Sequence, residues 1–148
     1  MAKSKTVNPR ILYLIKRLEI EQTSRMTKAL AQFDLSPIQF AILYFVDYDQ
    51  GDLSSAQLSR RFLMTPQSMN EHVRVLERKK LLKKKTDPSH KKILRIALTA
   101  KGNEVLEACN HELDVMEGMF LKQLSSKEIE SMKNLIGKIL KSLREDAN

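Results

Sequence analysis

Tryptophan is absent, aromatic residues make up only 5% of the 148-residue chain, and Cys109 is the single cysteine. Sparse aromatics argue against a sheet that stacks single-stranded bases, which needs exposed ring platforms. One cysteine excludes an internal disulfide framework and suits a reducing compartment. No apolar run approaches the roughly 20 residues that span a bilayer, so no membrane association is expected. The start Met1-Ala2-Lys3-Ser4-Lys5 is basic without an apolar signal core behind it, and the expected location is the cytoplasm. Glycines number four. Gly102 has no glycine-rich loop around it, so a phosphate-cradling nucleotide site is not expected. There is no internal repeat, low-complexity segment or long linker.

What is present is a chain of single-domain size, 42% hydrophobic and 30% charged, which fits a folded protein with its own core. Its net charge of +8 is unevenly placed. Residues 74–95 hold ten Lys/Arg against two acids, Glu77 and Asp87, while the remaining residues carry sixteen of each sign. A localised basic stripe marks a surface that meets polyanions.

Helix-start signals divide the chain. Asn8-Pro9 predicts a cap before a first-turn proline. Ile11, Ile15, Leu18, Gln22, Met26, Ala29 and Phe33 follow at steps of three and four, an amphipathic helix. Ser36-Pro37-Ile38-Gln39 is a capping box. Its helix should bury Ile38, Ala41, Ile42, Phe45 and Val46, and end at the turn Asp49-Gln50-Gly51-Asp52. Ser54-Ser55-Ala56-Gln57 is a second capping box opening a short helix through Phe62. Thr65-Pro66 opens a fourth helix to about Lys80. The period then changes to two short strands, 82–86 and 93–98, with Leu94, Ile96 and Leu98 alternating along the second. Asp87-Pro88 between them signals a type I turn. Thr99 caps a fifth helix, and Ser125-Ser126-Lys127-Glu128, a third capping box, opens a sixth with a continuous apolar stripe. The fold class is mainly α with a small β-hairpin. The expected organisation is an N-terminal dimerisation helix (1–35), a winged helix-turn-helix (36–98) and C-terminal dimerisation helices (99–148). The long terminal helices carry more apolar surface than the small middle part can cover, which predicts a homodimer.

At about 100° per residue, Met69, Val73 and Leu76 fall in one narrow arc of the fourth helix. Gln67, Glu71, Arg74 and Arg78 lie opposite, with Asn70 beside them. Amide side chains can pair with adenine and arginine with guanine in the major groove. The expected base-reading residues are Gln67, Ser68, Asn70, Glu71 and Arg74. Any surface helix shows a polar face; the basic hairpin directly downstream favours double-stranded DNA here. Thr65 and Ser68 are first of all at a cap, and a helix start also attracts phosphate. The expected backbone contacts are Thr65, Arg78, Lys83, Lys84, Lys85, His90, Lys91 and Lys92. A lysine-rich edge also resists strand-to-strand aggregation, but a few lysines would suffice for that.

These segments together resemble the MarR family of transcription regulators. The matching pieces are Leu35-Ser36-Pro37-Ile38-Gln39, Leu53-Ser54 through Leu58-Ser59, Thr65-Pro66, Val73 to Glu77 and Leu81-Leu82. They end with Asp87-Pro88-Ser89-His90-Lys91-Lys92 and Leu98-Thr99-Ala100-Lys101-Gly102. The family's wing reads Asp-Pro-x-Asp-Arg-Arg, followed by Leu-Thr-x-x-Gly. His90 stands where the family has an Asp that braces a minor-groove Arg, and Lys91 and Lys92 stand for its arginines. Lysine binds as a point charge without a planar fork. Glu71 replaces a frequent Arg and Lys80 a frequent Gly. The resemblance implies an obligate homodimer on a pseudo-palindromic operator, with altered sequence preference, acting as a repressor. It also implies release by a small aromatic or phenolic effector between the winged lobe and the dimer helices, for which Tyr13, Arg17 and Phe40 are candidates.

No catalytic constellation stands out, so enzymatic activity is not expected, nor is a cofactor. His72, His90 and His111 are dispersed, and only Asp114 lies at helical spacing from His111, so a metal role is not expected there. Cys109 sits among Leu106, Leu113 and Met116 as a buried thiol would, with redox sensing the alternative. Besides a DNA-binding regulator, the sequence leaves open a helical dimeric scaffold whose basic stripe binds acidic partners non-specifically.

Overall fold

The computed structural model describes residues 9–90 and 92–145. The chain forms two compact units, 1–113 and 114–148. Helix α1 (Ile11–Leu30) runs into a 3-10 turn (Ala31–Phe33). Helix α2 (Pro37–Tyr48), strand β1 (Leu53–Ser54), α3 (Ser55–Arg61) and α4 (Pro66–Arg78) follow. Strands β2 (Leu82–Thr86) and β3 (Leu94–Leu98) lead to α5 (Ala100–Leu121), which crosses the unit boundary, and α6 (Ser126–Glu145) completes the order.

The capping boxes act as local helix starts. Ser36 Oγ accepts the Gln39 N–H while the Gln39 side chain accepts the Ser36 N–H. Ser54 and Gln57 repeat this at α3, and Ser125 and Glu128 at α6. Each reciprocal pair satisfies two otherwise orphaned donors. At α1 the expectation fails. Pro9 precedes the helix, which starts at Ile11 behind Arg10 without a side-chain cap, and Asn8 lies outside the described residues.

The first unit's core gathers Leu30 and Leu35 with Phe40, Ile42, Leu43 and Val46 of α2. Leu58 of α3, Met69, Val73 and Leu76 of α4, Ile96 of β3, and Leu106 and Cys109 of α5 close it. Ile38, Ala41 and Phe45, expected to be buried, are only partly so; Phe40 and Leu43 occupy the centre instead.

The hairpin pairs Leu82 with Leu98, Lys84 with Ile96 and Thr86 with Leu94. A third strand, β1, adds to the other edge of β3, with Leu53 opposite Ile96 and Ser54 opposite Arg95. The alternation expected along β3 buries Ile96, while Leu94 at its far end is exposed because the hairpin there extends beyond the core.

Helix α4 stops at Arg78, two residues before the expected end. Lys80 takes a left-handed conformation (φ 60°), and the Leu81 N–H reaches back to the Leu76 carbonyl. Leu63 does the same after α3 (φ 51°), with the Met64 N–H on the Ser59 carbonyl. Both are helix stops of the kind usually given to glycine. The α4 end is then covered by the start of α5. Thr99 Oγ1 donates to the Lys80 carbonyl at 2.6 Å and accepts the Gly102 N–H at 2.9 Å, and Lys101 Nζ reaches the Lys79 carbonyl. Lys79 also pairs with Asp34, just after the 3-10 turn.

In the second unit, α6 buries no residue. Leu135, Ile136, Ile139, Leu140 and Leu143 stand exposed along it, as Ile11, Leu14, Ile15 and Leu18 do along α1. No single helix among the described residues is long and apolar enough to cross a membrane. The bent pair of α1 with its 3-10 turn and α2 reaches that length and composition together, but the apolar face of α2 is core.

Candidate nucleic-acid interface

Helices α3 and α4 pack as a pair, joined by the turn at Leu63. Thr65 is the N-cap of α4, its Oγ1 accepting the Ser68 N–H at 3.1 Å, and Pro66 fills the first helical position. Burial of Met69, Val73 and Leu76 fixes the rotation of α4. Gln67, Asn70, Glu71, Arg74 and Arg78 are therefore exposed on the opposite side, and Ser68 is half-buried.

Four of these side chains already have partners. Glu71 lies 3.9 Å from Arg74 and 3.6 Å from Arg78, in loose, solvent-screened pairs that leave both guanidinium groups free to turn outward. Ser55 Oγ donates to Asn70 Oδ1, tying α4 to the start of α3. Arg61 is a packing residue, stacked 4.6 Å over the Phe45 ring and paired with Asp49.

The wing begins where α4 ends. Lys83, Lys84 and Lys85 are all exposed. Lys84 pairs with Glu77 at 3.2 Å, and the antiparallel register puts Lys83 and Lys85 on the other face. His90 and Lys92 are exposed at the loop, and Lys91 lies outside the described residues. A cleft of about 600 Å³ between α3, α4 and the wing is lined by Ser55, Arg60, Asn70, Lys92 and Arg95, among others.

The wing loop is organised around Asp87, a residue the sequence offered only as a turn former. Its side chain is 5% exposed. Oδ1 accepts the Ser89 N–H at 2.8 Å, the Ser89 hydroxyl at 2.7 Å and the His90 N–H at 3.3 Å. Oδ2 accepts Arg95 Nε at 2.8 Å and lies 2.7 Å from Nη2. The Ser89 hydrogen bonds, then Arg95, hold this carboxyl well below the usual aspartate range. The chain bends at Pro88 and Ser89, and the His90 N–H donates to the Asp87 carboxylate, not to its backbone carbonyl as in a type I turn. Arg95 was missed as well; its one signal was a lone arginine in the apolar run 93–98.

Of the effector candidates, Tyr13 and Arg17 stand exposed on α1, while Phe40 is a core side chain whose ring lies 6.2 Å from Tyr44. Cys109 is fully buried, and burial pushes its thiol up to about 11. His111 is exposed on α5. Among the described residues, no group of three or more His, Cys, Asp or Glu is placed to hold a metal ion.

A two-helix unit with an exposed polar second helix and a three-stranded wing defines a winged helix-turn-helix protein. Residues 33–93 match the family model described as MarR family. The HTH-type transcriptional regulator MhqR of Bacillus subtilis is 25% identical over 134 residues, covering 88% of this chain and 89% of that protein. The HTH-type transcriptional repressor Rv2887 of Mycobacterium tuberculosis is 26% identical over 127 residues, covering 86% and 91%. The crystal structure of the Staphylococcus aureus MepR–DNA complex superposes with a TM-score of 0.78 at 30% identity, covering 90% of this chain and 96% of that one. The chain belongs to the MarR family and is a transcription regulator of that family.

Proposed function

We propose that the protein is a cytoplasmic homodimer that binds a pseudo-palindromic DNA operator and represses transcription until a small aromatic or phenolic effector releases it. The observation that carries this reading is the exposed polar face of α4 next to the lysine-rich wing. Residues 36–98 do the DNA work; 1–35 and 99–148 supply the dimer helices. The exposed apolar rows of α1 and α6 support that division, since each exceeds what a lone monomer exposes singly. No catalysis is assigned.

In this reading Gln67, Ser68, Asn70, Glu71 and Arg74 enter the major groove. Arg74 takes a guanine edge once it leaves Glu71. Reading adenine with both amide atoms would use the Asn70 Oδ1 that Ser55 now holds, so Asn70 must exchange that partner for the base. Thr65, Arg78, Lys83, Lys84, Lys85, His90, Lys91 and Lys92 meet the backbone and the minor groove. The roles of MhqR as a transcriptional regulator and of Rv2887 as a transcriptional repressor, and the DNA complex of MepR, support the same direction. The effector site draws on the exposed Tyr13 and Arg17 of α1, with Phe40 as part of its floor.

Selection of bound duplexes from a random pool with purified protein tests this. The expected product is an inverted repeat with half-sites about one helical turn apart, roughly 10 base pairs centre to centre. Enrichment of no sequence at all would leave only general polyanion binding.

A further inference from the structure

Arg95 lies where three segments meet. It leaves β3 with a side chain only 19% exposed. One edge of its guanidinium faces Asp87 Oδ2. Nη1 donates to the Asp52 carbonyl at 2.6 Å, just before β1, and to Gln57 Oε1 at 2.9 Å in α3. Gln57 Oε1 also accepts the Ser54 N–H at 2.8 Å as part of the α3 capping box. A continuous polar chain therefore runs from the wing loop (Ser89 and His90) through Asp87, Arg95 and Gln57 to the first residues of α3. Every acceptor in it is matched, and no buried side-chain polar atom among the described residues lacks a partner.

We propose that Arg95 is a positioning residue that braces the wing against the helix-turn-helix, so that the wing loop meets DNA at a fixed place relative to α4. The inference rests on the DNA-binding reading above and adds a residue to it. A two-stranded hairpin alone is marginally stable and free to swing. The short β1 pairing holds β3 at two residues, Ile96 and Arg95, and stops short of Leu94 and the loop. Beyond that point the loop's shape depends on Asp87 Oδ1, and its attachment to the body on Asp87 Oδ2. The planar guanidinium suits this task because its fixed fork reaches acceptors on separate segments at once; a lysine ammonium has no such geometry.

The brace and simple electrostatics differ in sign. Asp87→Asn removes an acid from a DNA-facing wing, so charge alone predicts tighter binding. The brace predicts weaker binding, by about tenfold or more, the size of one lost charge-assisted hydrogen bond. Arg95→Lys keeps the charge; the brace predicts that it binds as weakly as Arg95→Met, whereas a mere phosphate contact predicts rescue. All three variants should be compared with wild type by fluorescence anisotropy on one selected duplex, at a temperature where circular dichroism shows full folding. If Asp87→Asn does not fold, the Arg95→Lys comparison decides the matter. Hydrogen exchange adds a readout that needs no DNA: the Ser89 and His90 amides should lose protection in Arg95→Met while those of α4 keep theirs. Equal or tighter binding by Asp87→Asn, or full rescue by Arg95→Lys, would overturn the brace. A wild-type protein that binds no duplex would overturn the DNA-binding reading instead, and the exchange data would still decide whether Arg95 holds the loop.

Discussion

Gly102 offers the most sharply determined stability test. It sits in the first turn of α5, where alanine ordinarily gains about 1 kcal/mol over glycine. Here a Cβ would lie 2.1 Å from the Leu81 carbonyl oxygen, 3.0 Å from its carbon and 3.1 Å from Leu98 Cδ2. The first two are backbone atoms, so no side chain can rotate away, and clearing the oxygen needs a movement of about 1 Å or more. That oxygen also accepts the Thr99 N–H at 3.1 Å and the Thr99 hydroxyl at 3.3 Å, so moving it disturbs the seam between α4 and α5. Overpacking costs about 1–3 kcal/mol and a disturbed hydrogen bond about 0.5–1.5. Set against the propensity gain, these leave Gly102→Ala destabilised by about 0.5–3.5 kcal/mol, with Tm falling by roughly 3 °C per kcal/mol. Gly118→Ala is the control. Nothing lies within 4 Å of its Cβ position, so it should stabilise by about 1 kcal/mol. Both are read by thermal and urea unfolding at one protomer concentration, since a dimer's stability depends on it. A Gly102→Ala variant as stable as Gly118→Ala would refute the close approach, and with it the account of how α5 covers the end of α4.

Leu63 and Lys80 adopt left-handed backbone without being glycine. Leu63→Gly and Lys80→Gly should each stabilise by about 0.5–1 kcal/mol in urea unfolding, the relief of strain exceeding the glycine entropy cost. In the proposed dimer Lys92→Ala removes two charges, so the log–log salt slope of DNA binding should flatten by up to about 1.8, and an unchanged slope would remove Lys92 from the interface. Cys109 should resist iodoacetamide in the native state at neutral pH and react once unfolded, as mass spectrometry would show. Its raised value implies a stabilising contribution that is complete below the ordinary thiol value of 9.0 and lost as pH rises towards about 11.

Features written in neighbouring residues were legible in the sequence. The boxes at Ser36, Ser54 and Ser125 form between residues three apart. The buried arc of α4 follows from helical spacing, and the hairpin from a change of period. What escaped depends on distant partners. Strand β1 has two residues and exists only because Leu53 and Ser54 meet Ile96 and Arg95, some forty positions on. Asp87 reads as a turn former because nothing local shows Arg95 turning towards it. The α4 stop at Lys80 carries no glycine, and Pro9, a plausible first-turn residue, stands before a helix that begins at Ile11.

The central claim is that α4 reads base edges while the wing supplies sequence-independent attraction. Arg74→Ala tests it most directly, measured by anisotropy on the preferred duplex and on a scrambled one at the same salt. The account predicts a loss of about 1–3 kcal/mol on the preferred duplex, relaxed preference at one position per half-site, and only a modest loss on the scrambled duplex. Equal losses on the two duplexes would contradict it, and would reduce this face of α4 to part of a general polyanion surface.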